Sequence, residues 1–244
     1  MLFNLCNCVA PSALGAGSLC AGGAGFVTAM MATLAASGRT QAAKTLRGEV
    51  PVVDRLAVRI VTDNVITQFV PGLKRDGLTI ERNNGNTHPD QPPRTVLNGE
   101  WGLAMYAESK RGTETRHLLI DFGYTPETLL NNMEILKVDP SLFDAMVLSH
   151  GHYDHFGGMV GFLQANKGKL KQKLPFYVGG EDCFCIRRNS GGQFGALDRK
   201  AILEADLALM MAAEPAIVAD HAFTTGRIGQ HSFEKPLRFP GSTR

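Results

Sequence analysis

Beyond about residue 50 the chain alternates apolar runs with amphipathic stretches. LAVRIVT (56–62) is rich in β-branched residues and predicts a strand. GLAMYAE (102–108) and RHLLID (116–121) flank KRGTET, a pattern that predicts a hairpin. In TPETLLNNMEILKV (125–138), Leu129, Leu130, Met133 and Leu136 share one helical face. Thr125 is placed to cap that helix, and Pro126 suits its first turn. AMVLSH (145–150) predicts a buried strand, and HFGGMVGFLQA (155–165) a helix with Met159, Phe162 and Leu163 inward. LPFYVGG (174–180) predicts another strand, and LDRKAILEADLALMMA (197–212) another helix. ERNNGNTHPDQPPR (81–94), with three prolines and three asparagines, is loop. Strands alternating with helices imply a layered α/β fold.

The N-terminal region departs from this pattern. No charged side chain precedes Arg39, and Leu14 to Ala36 is a mildly apolar, Ala/Gly-rich run long enough to cross a bilayer at about 20 residues. It has no basic n-region, and Arg39, Lys44 and Arg47 follow it. Residues 1–44 are therefore expected to be a leader or membrane-associated segment, and residues 45–244 the folded domain. The expected location is cytoplasmic or membrane-associated, with export through a non-standard signal as the alternative. A net charge of +2, without a basic block, gives no reason to expect nucleic acid. Cys6, Cys8, Cys20, Cys183 and Cys185 have neither zinc-ribbon spacing nor a disulfide framework, so reduced thiols are expected.

One stretch carries chemistry. LSHGHYDHFGG (148–158) places three of the chain's seven histidines within six positions, directly after an apolar strand. His150 and His152, two apart on extended chain, project to one side. The chain then turns, and Asp154 and His155 can face a second ion. Gly157 and Gly158 are expected to permit the tight turn into the following helix. Imidazole with carboxylate suits zinc, and iron and manganese accept the same ligands. Tyr153, between ligands, is expected only to pack.

VLSHGHYDHFGG resembles the metal-binding signature of the metallo-β-lactamase superfamily. HLLIDFG (117–123) resembles the superfamily's earlier strand, whose aspartate here is Asp121. VTDN (61–64), GEWGLAMYAE (99–108) and TTGRIGQHSFEK (224–235) resemble segments of its 7,8-dihydropterin-6-yl-methyl-4-(β-D-ribofuranosyl)aminobenzene 5′-phosphate synthase subgroup. The resemblance covers roughly residues 50–235 and implies an α/β fold, a four-layer αββα sandwich. It implies two divalent ions, zinc first, with His150 and His152 holding one and Asp154 and His155 the other. A hydroxide between the ions would be the nucleophile. Asp154 and Asp121 are the carboxylates expected in catalysis, Asp154 as a ligand and Asp121 by orienting a ligand histidine.

The family's second half, with its third histidine and bridging acid, has no counterpart in the sequence. His221 and His231 follow no buried strand and are weak substitutes. The sequence therefore reads as an incomplete metallo-hydrolase or synthase acting on a small molecule, impaired as it stands and with apolar residues such as Val147, Phe176 and Val178 uncovered. The alternatives are a non-catalytic metal-binding remnant that needs a partner chain, and a module attached to a membrane through residues 14–36.

Overall fold

A computed structural model describes residues 40–65, 70–82, 90, 95–186, 188–189, 192–193 and 195–228. Its centre is a seven-stranded mixed sheet. In chain order the strands and helices are β1 (Gln41–Ala42), β2 (Arg55–Thr62), β3 (Leu73–Arg75), β4 (Leu78–Ile80), β5 (Ala104–Arg111), β6 (Glu114–Ile120), α1 (Pro126–Ile135), β7 (Ala145–Val147), α2 (Tyr153–Phe156), α3 (Met159–Ala165), β8 (Pro175–Val178), β9 (Arg188–Asn189), β10 (Gly192–Gln193), α4 (Arg199–Glu204), β11 (Ala208–Met211), β12 (Ala216–Val218) and β13 (Ala222–Thr224). The sheet order is β1-β11-β8-β7-β6-β5-β2, and the remaining strands form three two-stranded ladders.

The predicted hairpin is real and tighter than the sequence suggested. Arg111 pairs with Glu114, so only Gly112 and Thr113 turn the chain, with Gly112 at φ 58°. From β6 towards β1 the sheet runs parallel: β6 to β7, β7 to β8, β8 to β11 and β11 to β1. Parallel neighbours need crossovers. Helix α1 joins β6 to β7, α3 joins β7 to β8, and α4 joins β8 to β11. Their apolar sides, including Leu129, Met133, Met159, Phe162 and Ile202, meet Leu119, Met146, Phe176 and Leu209 on one sheet face. Burying each such side chain contributes roughly 1.5–3 kcal/mol.

The other face carries Met105, Ala107, Leu118, Ile120, Val147 and Tyr177, with Ala216 and Val218 of the β12–β13 hairpin packed in the same cluster. This corrects the expectation that Val147, Phe176 and Val178 would stand uncovered: all three are buried. Phe176 and Val178 lie on the helical side. Val147 belongs with the hairpin cluster. Apolar side chains that do remain in water include Leu56, Val58 and Ile60 of edge strand β2.

Two further expectations are revised. The helix foreseen over 197–212 ends at Glu204, and Ala208–Met211 is strand β11. Asp206 at φ 55° stops the helix. Ala, Leu and Met favour helix by only a few tenths of a kcal/mol over average residues. Ladder pairing with β8 and burial of Leu207 and Leu209 outweigh that preference. The helix foreseen over 155–165 is two helices with Gly157 and Gly158 between them. Strand β1 pairs with β11, and Leu46 N–H bonds Pro215 O at 2.7 Å, so residues 41–46 are fastened to the sheet and to the turn before β12.

The run 14–36, most of the 81–94 loop and His231 lie outside the described residues. Among the described residues no helix is long and apolar enough to cross a membrane.

Candidate active site

Strands β6 and β7 are parallel neighbours, and the chain that leaves their C-terminal ends carries Asp121 and the 148–158 motif. Chemistry in open α/β sheets collects at such carboxyl ends. Asp121 N–H bonds Val147 O at 2.9 Å, and Phe122 N–H bonds His155 O at 2.7 Å, fastening the first loop to α2. Asp121 itself stands at φ 61°, a left-handed conformation that aspartate tolerates better than most residues.

The two glycines act differently from expectation. Gly157 (φ −57°) and Gly158 (φ −74°) both have ordinary negative φ. They are required by contact: a Cβ on Gly157 would lie 2.3 Å from Tyr124 O, and one on Gly158 2.3 Å from Phe122 O. The motif is pressed against the 121–124 loop, and only a residue without a Cβ allows that approach.

Asp121 is fully buried and accepts three hydrogen bonds of 2.7 Å. They come from Ser149 N–H, Ser149 Oγ and His155 Nδ1. Proton counting then assigns the tautomers. Ser149 spends its only hydroxyl proton on Asp121, so its Oγ accepts from His150 Nδ1 at 3.0 Å. His155 likewise carries its proton on Nδ1, facing Asp121. Both neutral rings therefore have their lone pair on Nε2. His150 Nε2 meets His152 Nδ1 at 2.9 Å, and His155 Nε2 lies 3.4 Å from Asp154 Oδ2. The His150 ring centroid is 4.5 Å from that of His152 and 4.1 Å from that of His155.

All four motif residues named by the sequence are thus brought together, with Asp121 behind them. Among the described residues, however, no group of three or more His, Cys, Asp or Glu is arranged as a metal cage. The side chains satisfy one another by hydrogen bonds. The donor chemistry nonetheless fits a divalent cation, since two Nε2 lone pairs and a carboxylate share one corner and buried hydrogen bonds hold the tautomers. Burial of His155 works against a charge on its ring. The hydrogen bond and charge of Asp121, aided by Asp154, outweigh it and hold the imidazole above its ordinary pKa.

Two contributors escape sequence reasoning. Ser149 couples Asp121 to His150, and its place just before the histidines was the only signal. Glu100 accepts from Tyr124 N–H, Thr125 N–H and the Thr125 hydroxyl at 2.6–3.0 Å, tying the 99–103 segment to the cap of α1. His221 lies elsewhere. Ser109, its hydrogen-bond partner, is opposite Arg116, and Asp121 is five residues further on, about 17 Å along the sheet.

Comparison with known proteins agrees with this location. Residues 107–170 match the model of the metallo-beta-lactamase superfamily. A 77-residue stretch is 29% identical to the 7,8-dihydropterin-6-methyl-4-(beta-D-ribofuranosyl)-aminobenzene-5'-phosphate synthase of Methanocaldococcus jannaschii, covering 32% of this chain and 25% of that protein. A candidate metallo-beta-lactamase from Thermotoga maritima is 18% identical over 52% of this chain and 44% of its own, with a TM-score of 0.27. A B3 metallo-beta-lactamase with an active-site glutamic acid is 20% identical over 50% and 44%, with a TM-score of 0.31. Such scores are too low to establish a shared architecture. The chain spans less than half the length of each of these proteins. The segment that matches the metallo-beta-lactamase family model is the one that builds the histidine corner.

Proposed function

We propose that the chain is a metal-dependent hydrolase or synthase acting on a small molecule, with His150, His152, Asp154 and His155 as metal donors. The observation that carries this reading is the buried Asp121–Ser149 pair, which holds His150 and His155 in the tautomer that leaves Nε2 for a cation. A divalent ion bound there would lower the pKa of a water to about 7, so that hydroxide is available near neutral pH. This chain's own residues do the rest. Asp121 fixes the His155 ring, Ser149 fixes the His150 ring, and the packed 121–124 loop closes the site from behind. Similarity to the methanogen synthase supports a phosphorylated, ring-bearing substrate, while hydrolysis of an ester or lactone is the broader chemistry of the reading.

Retention of the metal should be weak. Catalytic zinc usually takes three protein ligands, so two ions call for about six. The corner offers four, and His221 is too distant to add a fifth. Metal content after desalting, measured on the wild type and on His152→Ala, tests both statements. The expected result is less than one equivalent in the wild type and none in the variant, with little turnover of a generic phosphodiester or lactone. Two tightly held ions with clear turnover would show the ligand set to be larger than this. Metal content unchanged in His152→Ala would reject the site.

A further inference from the structure

The candidate site is bordered by aromatic side chains that the core does not absorb. Trp101 is 67% exposed, and Tyr124 and Tyr153 are each 38% exposed. The three rings form a chain of contacts. Trp101 and Tyr124 lie 5.9 Å apart between centroids, tilted by 40°, and Tyr124 meets Tyr153 edge-on at 5.1 Å. Tyr153 in turn leans on buried Phe156 at 5.4 Å. Tyr153 opens α2, the helix that carries Asp154 and His155, so this row of rings starts on the motif's own helix.

The backbone beneath the rings is fastened at both ends. Glu100 is bound to Tyr124 N–H at 2.8 Å and to the Thr125 hydroxyl at 2.6 Å. On the other side, Leu103 N–H bonds Asp154 O at 3.2 Å, and Gly123 N–H bonds Leu103 O at 3.0 Å. Gly102 lies so close that a Cβ there would stand 2.6 Å from Asp154 O. Trp101 is therefore presented to water from a clamped segment that contacts the motif itself. A large apolar ring held in water at the rim of a polar site is the arrangement that recognises a flat π-system, because stacking needs both a fixed platform and an open face.

We propose that Trp101, Tyr124 and Tyr153 form a stacking wall for a planar aromatic or heteroaromatic part of the substrate, holding it beside the histidine corner. The wall would set which substrates are accepted. It rests on the proposed function only for the reaction performed next to it, since ring binding itself needs no metal.

The test uses the full chain and two probes: 6-methylpterin, which is flat, and cyclohexanecarboxylate, which is not. Trp101 is the sole tryptophan, so its emission reports directly on its own surroundings. The expected result is saturable quenching by the pterin and none by the cyclohexane acid. By calorimetry, Trp101→Leu and Tyr124→Leu should each weaken pterin binding about tenfold, while Trp101→Phe stays close to wild type. Quenching without saturation, or an unchanged Kd in both leucine variants with intact far-UV circular dichroism, would overturn the proposal. Repeating the titration with EDTA and in His152→Ala separates the two readings. Ring binding that survives loss of metal supports the wall whatever becomes of the metal site. Metal retained without ring binding rejects the wall alone.

Discussion

Two corners of this molecule set a histidine beside a serine and an acid, and they do different things. At one, His155 meets Asp121 at 2.7 Å and Ser149 at 3.4 Å. At the other, His221 Nδ1 meets Ser109 Oγ at 3.0 Å, and its Nε2 lies 3.5 Å from Glu114 Oε2. The difference is which partner is buried. Asp121 is fully sequestered with three donors, whereas the Glu114 side chain is half exposed and shared with Arg111 and Arg116. The 3.5 Å approach counts as an ion-pair distance, yet the Nε2 has no hydrogen bond of good geometry. A sequestered carboxylate orients a ring firmly; an exposed one is screened and orients it loosely. The first corner also gathers two more histidines. The second holds its histidine alone and ties β13 to the hairpin of β5 and β6.

The comparison breaks most sharply at Asp121. Asp121→Ala would leave Ser149 N–H, Ser149 Oγ and His155 Nδ1 without their acceptor in a buried place, and should cost about 3–5 kcal/mol. Urea unfolding measures that loss. NMR of the imidazole nitrogens should show His155 released from its single tautomer, and a fixed tautomer in the variant would contradict the assignment. Next in size is Gly158→Ala, whose Cβ would meet Phe122 O and force the motif off the 121–124 loop. A loss of about 1–3 kcal/mol is expected, from overpacking. Unchanged stability would mean that the loop contact yields easily.

His221→Leu sharpens the contrast from the other side. It leaves the Ser109 hydroxyl buried without its partner and should cost about 1–3 kcal/mol. Metal content should not change, because the corner is about 17 Å from the candidate site. A loss of bound metal in this variant would return His221 to the ligand set.

The smallest effect concerns Glu114. His221, then Arg111 and Arg116, hold its carboxyl below the ordinary 4.5. A folded-state value below the unfolded one contributes stability that is present above the ordinary value and fades as pH falls through the folded value. Glu114→Gln should therefore lower stability slightly near neutrality, with the difference from wild type fading as the pH falls below about 4.5 and the acid slope flattening. A slope equal to wild type in that acid range would show that the carboxylate is not linked to folding.

Much of this was legible in the sequence where local pattern and burial agree. The hairpin, the capped α1, strands β2, β7 and β8 and the inward side of α3 follow from periodicity and turn chemistry, which depend on neighbours along the chain. The gathering of His150, His152, Asp154 and His155 was legible for the same reason, since all four lie within six positions. Asp121 was found only through its resemblance to a family strand.

What the tertiary structure decided are the facts that need distant partners. Ala208–Met211 reads as helix by propensity and becomes strand because β8 offers it an edge to pair with. Val147, which the sequence left uncovered, is covered by the β12–β13 hairpin. Gly157 and Gly158 are held as glycine by the 121–124 loop, a requirement invisible in the motif itself. Ser149, Glu100 and the Trp101–Tyr124–Tyr153 row acquire meaning only when residues 23 or more positions apart are brought to hydrogen-bond or ring contact. A chain's own spacing dictates which groups can share a turn. Burial and pairing across the fold dictate which of them lose water, and with it their freedom to face elsewhere.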